Sequence, residues 1–287
     1  LRRTNALGVA HLQAFLSYCR SLPPEGQLII NSDDPGAGEL LNRIRRERKD
    51  LRIIAYGRSA EGPFRITRIE AGAGRTRFRL SGVQGQLLLA YPGIHSVYNA
   101  TAAAALSSCI LEAEGREWTA DLSRAMAQAL AEFRGSRRRS EILGTAGGVL
   151  FIDDYGHHPT EISATLKGLR SFYPGRRIVV DFMSHTYSRT RELLGAFATC
   201  FQAADLVVLH RIYASARETG DHSIDGRTLF QEVSRHHPQA VYFEEPREAV
   251  PYLRDILKPG DLLVTMGAGD NWRIGREIFE AKVEAAK

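Results

Sequence analysis

Short apolar runs separated by amphipathic stretches organise this chain, and the pattern changes character halfway along. In the first half a helical period marks Val9–Cys19, and Gln27-Leu-Ile-Ile-Asn31 reads as a short buried strand. Asp33-Asp-Pro35 makes a turn, a basic amphipathic helix extends to about Arg48, and Leu51–Ala55 is a second strand. From Phe64 to Tyr91 apolar and polar residues alternate in short runs, the signature of a hairpin or meander, ended by Pro92-Gly93. An alanine-rich helix is predicted from about Val97 to Ala113, with Ser96 as its N-cap and Gly115 as its stop, and another over roughly Ala120–Ala131.

After the basic link Phe133-Arg-Gly-Ser-Arg-Arg-Arg139, apolar strands near Val149–Ile152, Ile178–Phe182, Leu206–Leu209, Ala240–Phe243 and Leu262–Thr265 alternate with helical segments. Those helices are expected near Pro159–Phe172, Arg189–Ala203, Asp225–Arg235, Arg247–Leu257 and Trp272–Ala285. Regular alternation of this kind predicts a parallel, doubly wound α/β sheet. The domain boundary is placed near residue 136, giving segments 1–136 and 137–287.

The 287 residues suffice for two domains, and 44% hydrophobic with 25% charged content is that of a globular protein. No apolar run approaches the ~20 residues of a membrane helix, and the N-terminus has no signal-peptide pattern, so a cytoplasmic location without membrane contact is expected. Cys19, Cys109 and Cys200 are too far apart for a zinc knuckle and odd in number, which points to buried reduced thiols. The net charge of +5 suits an anionic small molecule. A nucleic-acid partner would want aromatics beside Arg137–Arg139, and none are adjacent in sequence.

Candidate chemistry concentrates in Phe151-Ile-Asp-Asp-Tyr-Gly-His-His-Pro-Thr-Glu161, where two carboxylates end a strand, two imidazoles follow and Pro159 opens a helix. Parallel sheets bind ligands at such corners. Neighbouring strand residues face opposite sides, so one of Asp153 and Asp154 should face a ligand and the other brace the turn. His157 and His158 diverge and lack a third ligand at helical spacing, so no metal site is expected. The next strand ends in another polar cluster, with His185 and Arg189 four apart. Arginine offers a fork of donors for carboxylate or phosphate, although a helix cap with a surface arginine would explain the pair as well. Asn99, ahead of a run of alanines, carries an amide able to read a flat heterocycle. Arg137–Arg139 reads either as a solvated link or as a phosphate-facing group, and Gly267-Ala-Gly269 is an incomplete dinucleotide fingerprint.

Taken in order, Gly93-Ile-His95-x-x-x-Asn99-Ala, Phe133-x-Gly-x-x-Arg138-Arg139, Asp153-Asp-Tyr-Gly-His-His-Pro-Thr-Glu161, His185-Thr-Tyr-Ser-Arg189-Thr and Ile212-Tyr-Ala214 resemble the motifs of the Mur ligases. Within that family the likeness is strongest to the enzymes that join L-alanine to UDP-N-acetylmuramate in peptidoglycan precursor synthesis. The resemblance implies the latter part of a central ATPase domain followed by a Rossmann-like C-terminal domain. It also implies ATP-driven ligation through an acyl phosphate, with Mg2+ assisting. Carried over by motif, His95 and Asn99 would contact adenine, Asp154 the ribose, and Arg138 the transferred phosphoryl group. Tyr155, His157, His185 and Arg189 would face the amino acid and the acyl phosphate.

Ser96 stands where the family usually has asparagine, Met183-Ser184 replaces Gln-Pro, and Ala214-Ser-Ala-Arg217-Glu218 departs from Ala-Ala-Gly-Glu. The sequence contains no Gly-x-x-Gly-Lys-Thr phosphate loop and begins at Leu1. It is therefore expected to be part of a longer product and to have no ligase activity alone. Two alternatives share some of these motifs. A murein-recycling ligase that adds a tripeptide to UDP-N-acetylmuramate has the Asp-Asp…His-His-Pro segment but usually lacks His-Thr-Tyr-Ser-Arg-Thr. A non-catalytic nucleotide-binding module would account for the missing lysine.

Overall fold

The computed structural model describes residues 6–72, 74–214 and 223–286. They fall into two compact units, one of 1–71, 75–90 and 94–133, the other of 72–74, 91–93 and 134–287.

The first unit runs α1 (Ala6–Arg20), β1 (Gln27–Asn31), α2 (Pro35–Glu47), β2 (Arg52–Tyr56), β3 (Ile66–Gly72), β4 (Arg75–Leu80), β5 (Leu87–Leu89), α3 (Ile94–Ala113) and α4 (Ala120–Glu132). Strands β1 and β2 pair in parallel, and their apolar side packs with Leu16, Cys19, Leu40, Leu41 and Ile44 from α1 and α2. Asp34 starts α2 by accepting the Ala37 N–H at 2.8 Å, with Pro35 at the first helical position, where its missing N–H costs nothing. Strands β3, β4 and β5 form a separate sheet, and β4 buries alternate residues as a two-residue period requires. Helix α3 buries Val97, Ala100, Thr101, Ala104 and Ala105, a 3.6-residue stripe. It begins at Ile94, three residues before the predicted start. Ser96 therefore lies inside the first turn, buried, and the N-cap expectation for it is wrong.

The second unit runs β6 (Glu141–Ala146), β7 (Val149–Asp154), α5 (Pro159–Phe172), β8 (Ile178–Met183), α6 (Tyr187–Glu192), α7 (Leu194–Thr199), β9 (Leu206–Leu209), α8 (Gly226–Ser234), β10 (Ala240–Tyr242), a 3-10 turn (Pro246–Glu248), α9 (Ala249–Ile256), β11 (Leu262–Gly267) and α10 (Trp272–Glu284). Its six strands lie in the order β10-β9-β8-β11-β7-β6. All neighbours are parallel except β6, which pairs antiparallel with β7. The sheet is thus mixed. The edge strand β6 was not foreseen, although Gly147-Gly148, both with positive φ, supplies the tight turn that closes a hairpin.

Strands β7, β8 and β11 are buried along their whole length, as strands covered on both faces must be. Helices α5, α7 and α8 cover one face through Ile162, Leu166, Phe197, Leu229 and Val233. Helices α9 and α10 cover the other through Val250, Leu253, Ile274 and Ile278. Each such side chain contributes about 1.5–3 kcal/mol by leaving water. The helix expected over Arg189–Ala203 is two short helices that meet at Leu193, which caps both. Because β11 lies between β7 and β8, the chain skips a strand position on leaving β7. Such a switch opens a crevice at the carboxyl ends of the strands.

Candidate active site at the carboxyl edge of the sheet

Both aspartates that end β7 are held by neighbouring turns. Asp153 is 0% exposed, accepts Arg138 Nε at 3.1 Å and Thr265 Oγ1 at 3.0 Å, and burial pushes its carboxyl above the ordinary range despite that arginine. Asp154 accepts the Ser140 N–H and hydroxyl on Oδ2 at 2.7 and 2.8 Å, and the Gly156 N–H on Oδ1 at 2.7 Å. Instead of one aspartate facing out and one bracing the turn, both brace. Asp154 Oδ1, with one bond made, keeps acceptor capacity for a hydroxyl.

Arg138 is fixed at four points. Its N–H donates to Glu141 Oε2, its carbonyl accepts the Tyr155 N–H, Nε binds Asp153 and Nη2 donates to the Gly267 carbonyl at 2.9 Å. It does this with φ of 55°, a left-handed conformation that costs a non-glycine residue about 1–2 kcal/mol. The guanidinium lies between the rings of Tyr155 and Trp272, 5.0 and 5.8 Å from their centroids. A cavity of about 440 Å³ opens there, lined by Arg137, Arg138, Arg139, Tyr155, Trp272 and Arg276. Arg138 is paired with Asp153 and Arg276 with Glu141 at 3.4 Å, whereas Arg137 and Arg139 have no carboxylate within ion-pair distance among the described residues. Arg276 Nε is buried and finds no acceptor. Such a wall carries uncompensated positive charge and suits an anion.

The backbone depends on Gly267 here. Its φ is 120°, and a Cβ would stand 2.2 Å from the Met183 carbonyl oxygen. Gly267→Ala is expected to cost about 3 kcal/mol or more and to displace the acceptor of Arg138, read as a lower thermal midpoint.

Beyond Asp154 the chain turns into α5. His158 caps this helix by accepting the Thr160 N–H on Nδ1, and Glu161 reaches back to the N–H groups of His157 and His158. His157 Nδ1 lies 3.1 Å from the Tyr155 carbonyl oxygen, an acceptor only, so Nδ1 carries the proton. In the neutral ring Nε2 is then a free acceptor.

The loop after β8 approaches from the neighbouring position. His185 pairs with Tyr213 as an isolated bridge, and its ring lies 6.3 Å from that of His157 and 5.9 Å from that of Tyr213. Thr190 Oγ1 donates to the Thr186 carbonyl, so Ser184 donates to Thr190 at 2.6 Å, which fastens the strand end to the start of α6. Arg189 follows on α6, and its Nη1 is buried without any acceptor among the described residues. A buried cationic donor with no partner is costly unless a ligand supplies one.

Arg138, Asp154, Tyr155, His157, His185 and Arg189 thus share one edge of the second unit. His95 and Asn99 belong to the first turns of α3 in the first unit, where His95 is half-buried and Asn99 exposed. One residue before Asn99, the Tyr98 hydroxyl donates to Asp33 at 2.7 Å. Asp33 also accepts from Ser59 and the Arg58 N–H, and these bonds, opposing its burial, hold its carboxyl at about 2. Arg217 and Glu218 lie outside the described residues. No three His, Cys, Asp or Glu side chains among the described residues could hold a metal ion, and no helix is long and apolar enough to cross a membrane. Sequence reasoning missed Trp272 and Arg276. Their signal was an aromatic and an arginine four apart on a helix that follows a Gly-x-Gly turn.

Residues 10–107 match the Mur ligase middle domain, and residues 138–269 match the Mur ligase glutamate ligase domain. The chain is 46% identical over 268 residues to the UDP-N-acetylmuramate–L-alanine ligase of Treponema pallidum, covering 93% of this chain and 56% of that protein. It therefore spans little more than half the length of that relative. Among solved structures, the UDP-N-acetylmuramate–alanine ligase of Thermotoga maritima superposes with a TM-score of 0.65 at 23% identity, covering 95% of this chain and 62% of that one. A murein peptide ligase of Psychrobacter arcticus superposes at 0.57 with 20% identity, covering 96% and 55%. With both domain models matched in order along the chain, the protein belongs to the Mur ligase family and carries its middle and C-terminal domains.

Proposed function

We propose that this chain forms the latter part of an ATP-dependent ligase that joins the carboxylate of UDP-N-acetylmuramate to the amine of L-alanine. The observation that carries the reading is the set of unsatisfied groups at the carboxyl edge of one sheet. Among the described residues, Arg276 Nε and Arg189 Nη1 are buried without acceptors, Arg139 is exposed with no carboxylate in ion-pair distance, and His157 Nε2 has no donor.

Bound ATP would supply the phosphoryl group that turns the substrate carboxylate into an acyl phosphate. Phosphoryl transfer is catalysed mainly by positioning and charge neutralisation. Arg138, fixed by Asp153 and the Gly267 carbonyl, offers a preorganised guanidinium, while Arg139 keeps more donors free for phosphate oxygens. Adenine contact by His95 and Asn99, and ribose contact by Asp154, are part of the same proposal. When the amine attacks the acyl carbon, inorganic phosphate leaves and the nitrogen loses a proton, for which His157 Nε2 would be the acceptor, with the Tyr155 carbonyl holding the ring. His185 stacks edge-on against His157, and Arg189 neutralises either the amino-acid carboxylate or the developing oxyanion. Mg2+ bound with the nucleotide would assist by neutralising charge on the phosphates.

The His185–Thr190 segment favours L-alanine over a tripeptide as acceptor. The 287-residue chain, without a phosphate loop, is expected to show no ATP turnover with UDP-N-acetylmuramate and L-alanine. Phosphate release above the buffer rate, dependent on both substrates, would overturn that expectation.

A further inference from the structure

Asp181 of β8, His210 just after β9 and Asn271 just before α10 are each 0% exposed, Asp181 bonds both of the others, and the chemistry above uses none of them. His210 Nε2 lies 2.8 Å from Asp181 Oδ2, and Nδ1 lies 3.3 Å from the Phe243 carbonyl oxygen. The Phe243 carbonyl is an acceptor only, and so is Asp181 when ionised; facing these two, both ring nitrogens carry protons and the buried ring is an imidazolium. A neutral ring would turn a lone pair toward an oxygen.

Asn271 completes the arrangement. Its Nδ2 donates to Asp181 Oδ1 at 2.7 Å, and to the carbonyls of Asp181 and Met266 at 3.1 Å each. Its Oδ1 is buried without a donor. A buried ion pair stabilises a fold no better than apolar residues of the same shape, so stability alone gives little reason for it. What it does is tie three strand ends together. Past β8 come His185 and Arg189. Past β9 comes Tyr213, whose backbone bonds Ser184 and Thr186 on either side of His185. At the end of β11 is the Gly267 carbonyl that holds Arg138, and past it come Trp272 and Arg276 of the cavity wall.

We propose that Asp181, His210 and Asn271 are positioning residues, a buried relay that sets the start of α10 and so aims Trp272 and Arg276 at the arginine wall, and that holds only while His210 is protonated. The aim of the wall at an anion rests on the functional reading above; the relay itself does not. The ionisable groups acting on His210 are Asp181 from β8 and Asp270 from the turn before α10, while β10 presents the neutral Phe243 carbonyl. Burial pushes the imidazole pKa down, but these groups outweigh it and the net shift is upward from 6.5. A raised histidine stabilises fully below its unfolded pKa, and that stabilisation disappears as pH rises through the folded value. The relay should therefore release on the alkaline side.

The 287-residue chain carrying Trp118→Phe leaves Trp272 as the sole indole, since the sequence has two tryptophans. Nitrogen-15 NMR of labelled histidine should show both His210 nitrogens protonated at pH 6, with one titration step above 6.5. Trp272 emission should change with the same midpoint. His210→Gln keeps a donor toward Asp181 but does not titrate, so its emission should be flat across the range. Asp181→Asn should move the step to lower pH, which keeps the test available if the glutamine variant does not fold. Inorganic pyrophosphate should bind about tenfold more weakly above the step, with His210→Gln correcting for the ligand's own ionisation. A neutral His210 at pH 6, or the same emission step in His210→Gln, overturns the relay. If pyrophosphate fails to bind at any pH while ring and emission titrate together, the relay stands and the anion reading of the cavity falls.

Discussion

Replacing Arg138 by methionine is expected to lower the unfolding free energy of the second unit by about 3–5 kcal/mol, because it strands a buried carboxylate. The Asp153 side chain is 1% exposed and, among the described residues, its carboxylate has the Thr265 hydroxyl as its one partner besides that guanidinium. The left-handed backbone at residue 138 is no worse for methionine than for arginine, so conformational strain cancels in the comparison. Pairing Arg138→Met with Asp153→Asn removes the charge that was stranded, and most of the loss should return. A denaturant titration of the four proteins in this cycle gives the coupling directly. The pH dependence has a definite sign. Burial already raises the Asp153 carboxyl, and losing the arginine raises it further. The deficit of the single variant should be smallest in acid, where the carboxyl is protonated in both states, and should grow as pH rises through the folded-state pKa. Strictly additive effects would mean that the pair is not coupled.

Arg189→Gln should have the opposite balance, with a large cost in rate and almost none in stability. Nη1 of Arg189 is buried without an acceptor, so removing it breaks no bond within the described residues and relieves an unsatisfied donor. Groups poised in this way for a ligand trade stability for activity. If that donor meets the amino-acid carboxylate or the acyl oxyanion, its loss should slow ligation by about 10²–10³-fold, the usual cost of one such donor, once this chain is built into a full-length ligase. Arg189→Lys should not restore the rate, since an ammonium cannot reproduce the planar fork. An unchanged rate with lowered stability would instead make Arg189 a structural residue.

Much of the second unit was legible because strands buried on both faces are written as unbroken apolar runs, such as Ile178-Val-Val and Leu262-Leu-Val. The edge strand β6 was hidden because one of its faces is open and Gly144 marks an irregularity in its pairing with β7. The same hairpin explains why the arginine run could be read either as a solvated link or as a phosphate-facing group. Arg138 meets Asp153 only once β6 folds back along β7, a contact 15 residues distant that no local spacing reveals. His158 was unreadable for another reason, because its side chain serves as a helix cap in place of the usual Ser, Thr, Asp or Asn. Ser96 shows the converse error, a good capping residue taken into the first turn of a helix that starts earlier. The motif residues at the sheet edge were found by resemblance. Trp272 and Arg276 stand outside those motifs, and only the folded strand ends bring them to the cavity.

The most direct measurement replaces the matching 268 residues of the Treponema pallidum ligase with this chain and follows product formation by the chimera. ATP-dependent joining of L-alanine to UDP-N-acetylmuramate is the expected result, strongly reduced by Arg189→Gln and by His157→Ala. A folded chimera that hydrolyses ATP only with the tripeptide, or that ligates L-alanine equally well without Arg189 and His157, would contradict it.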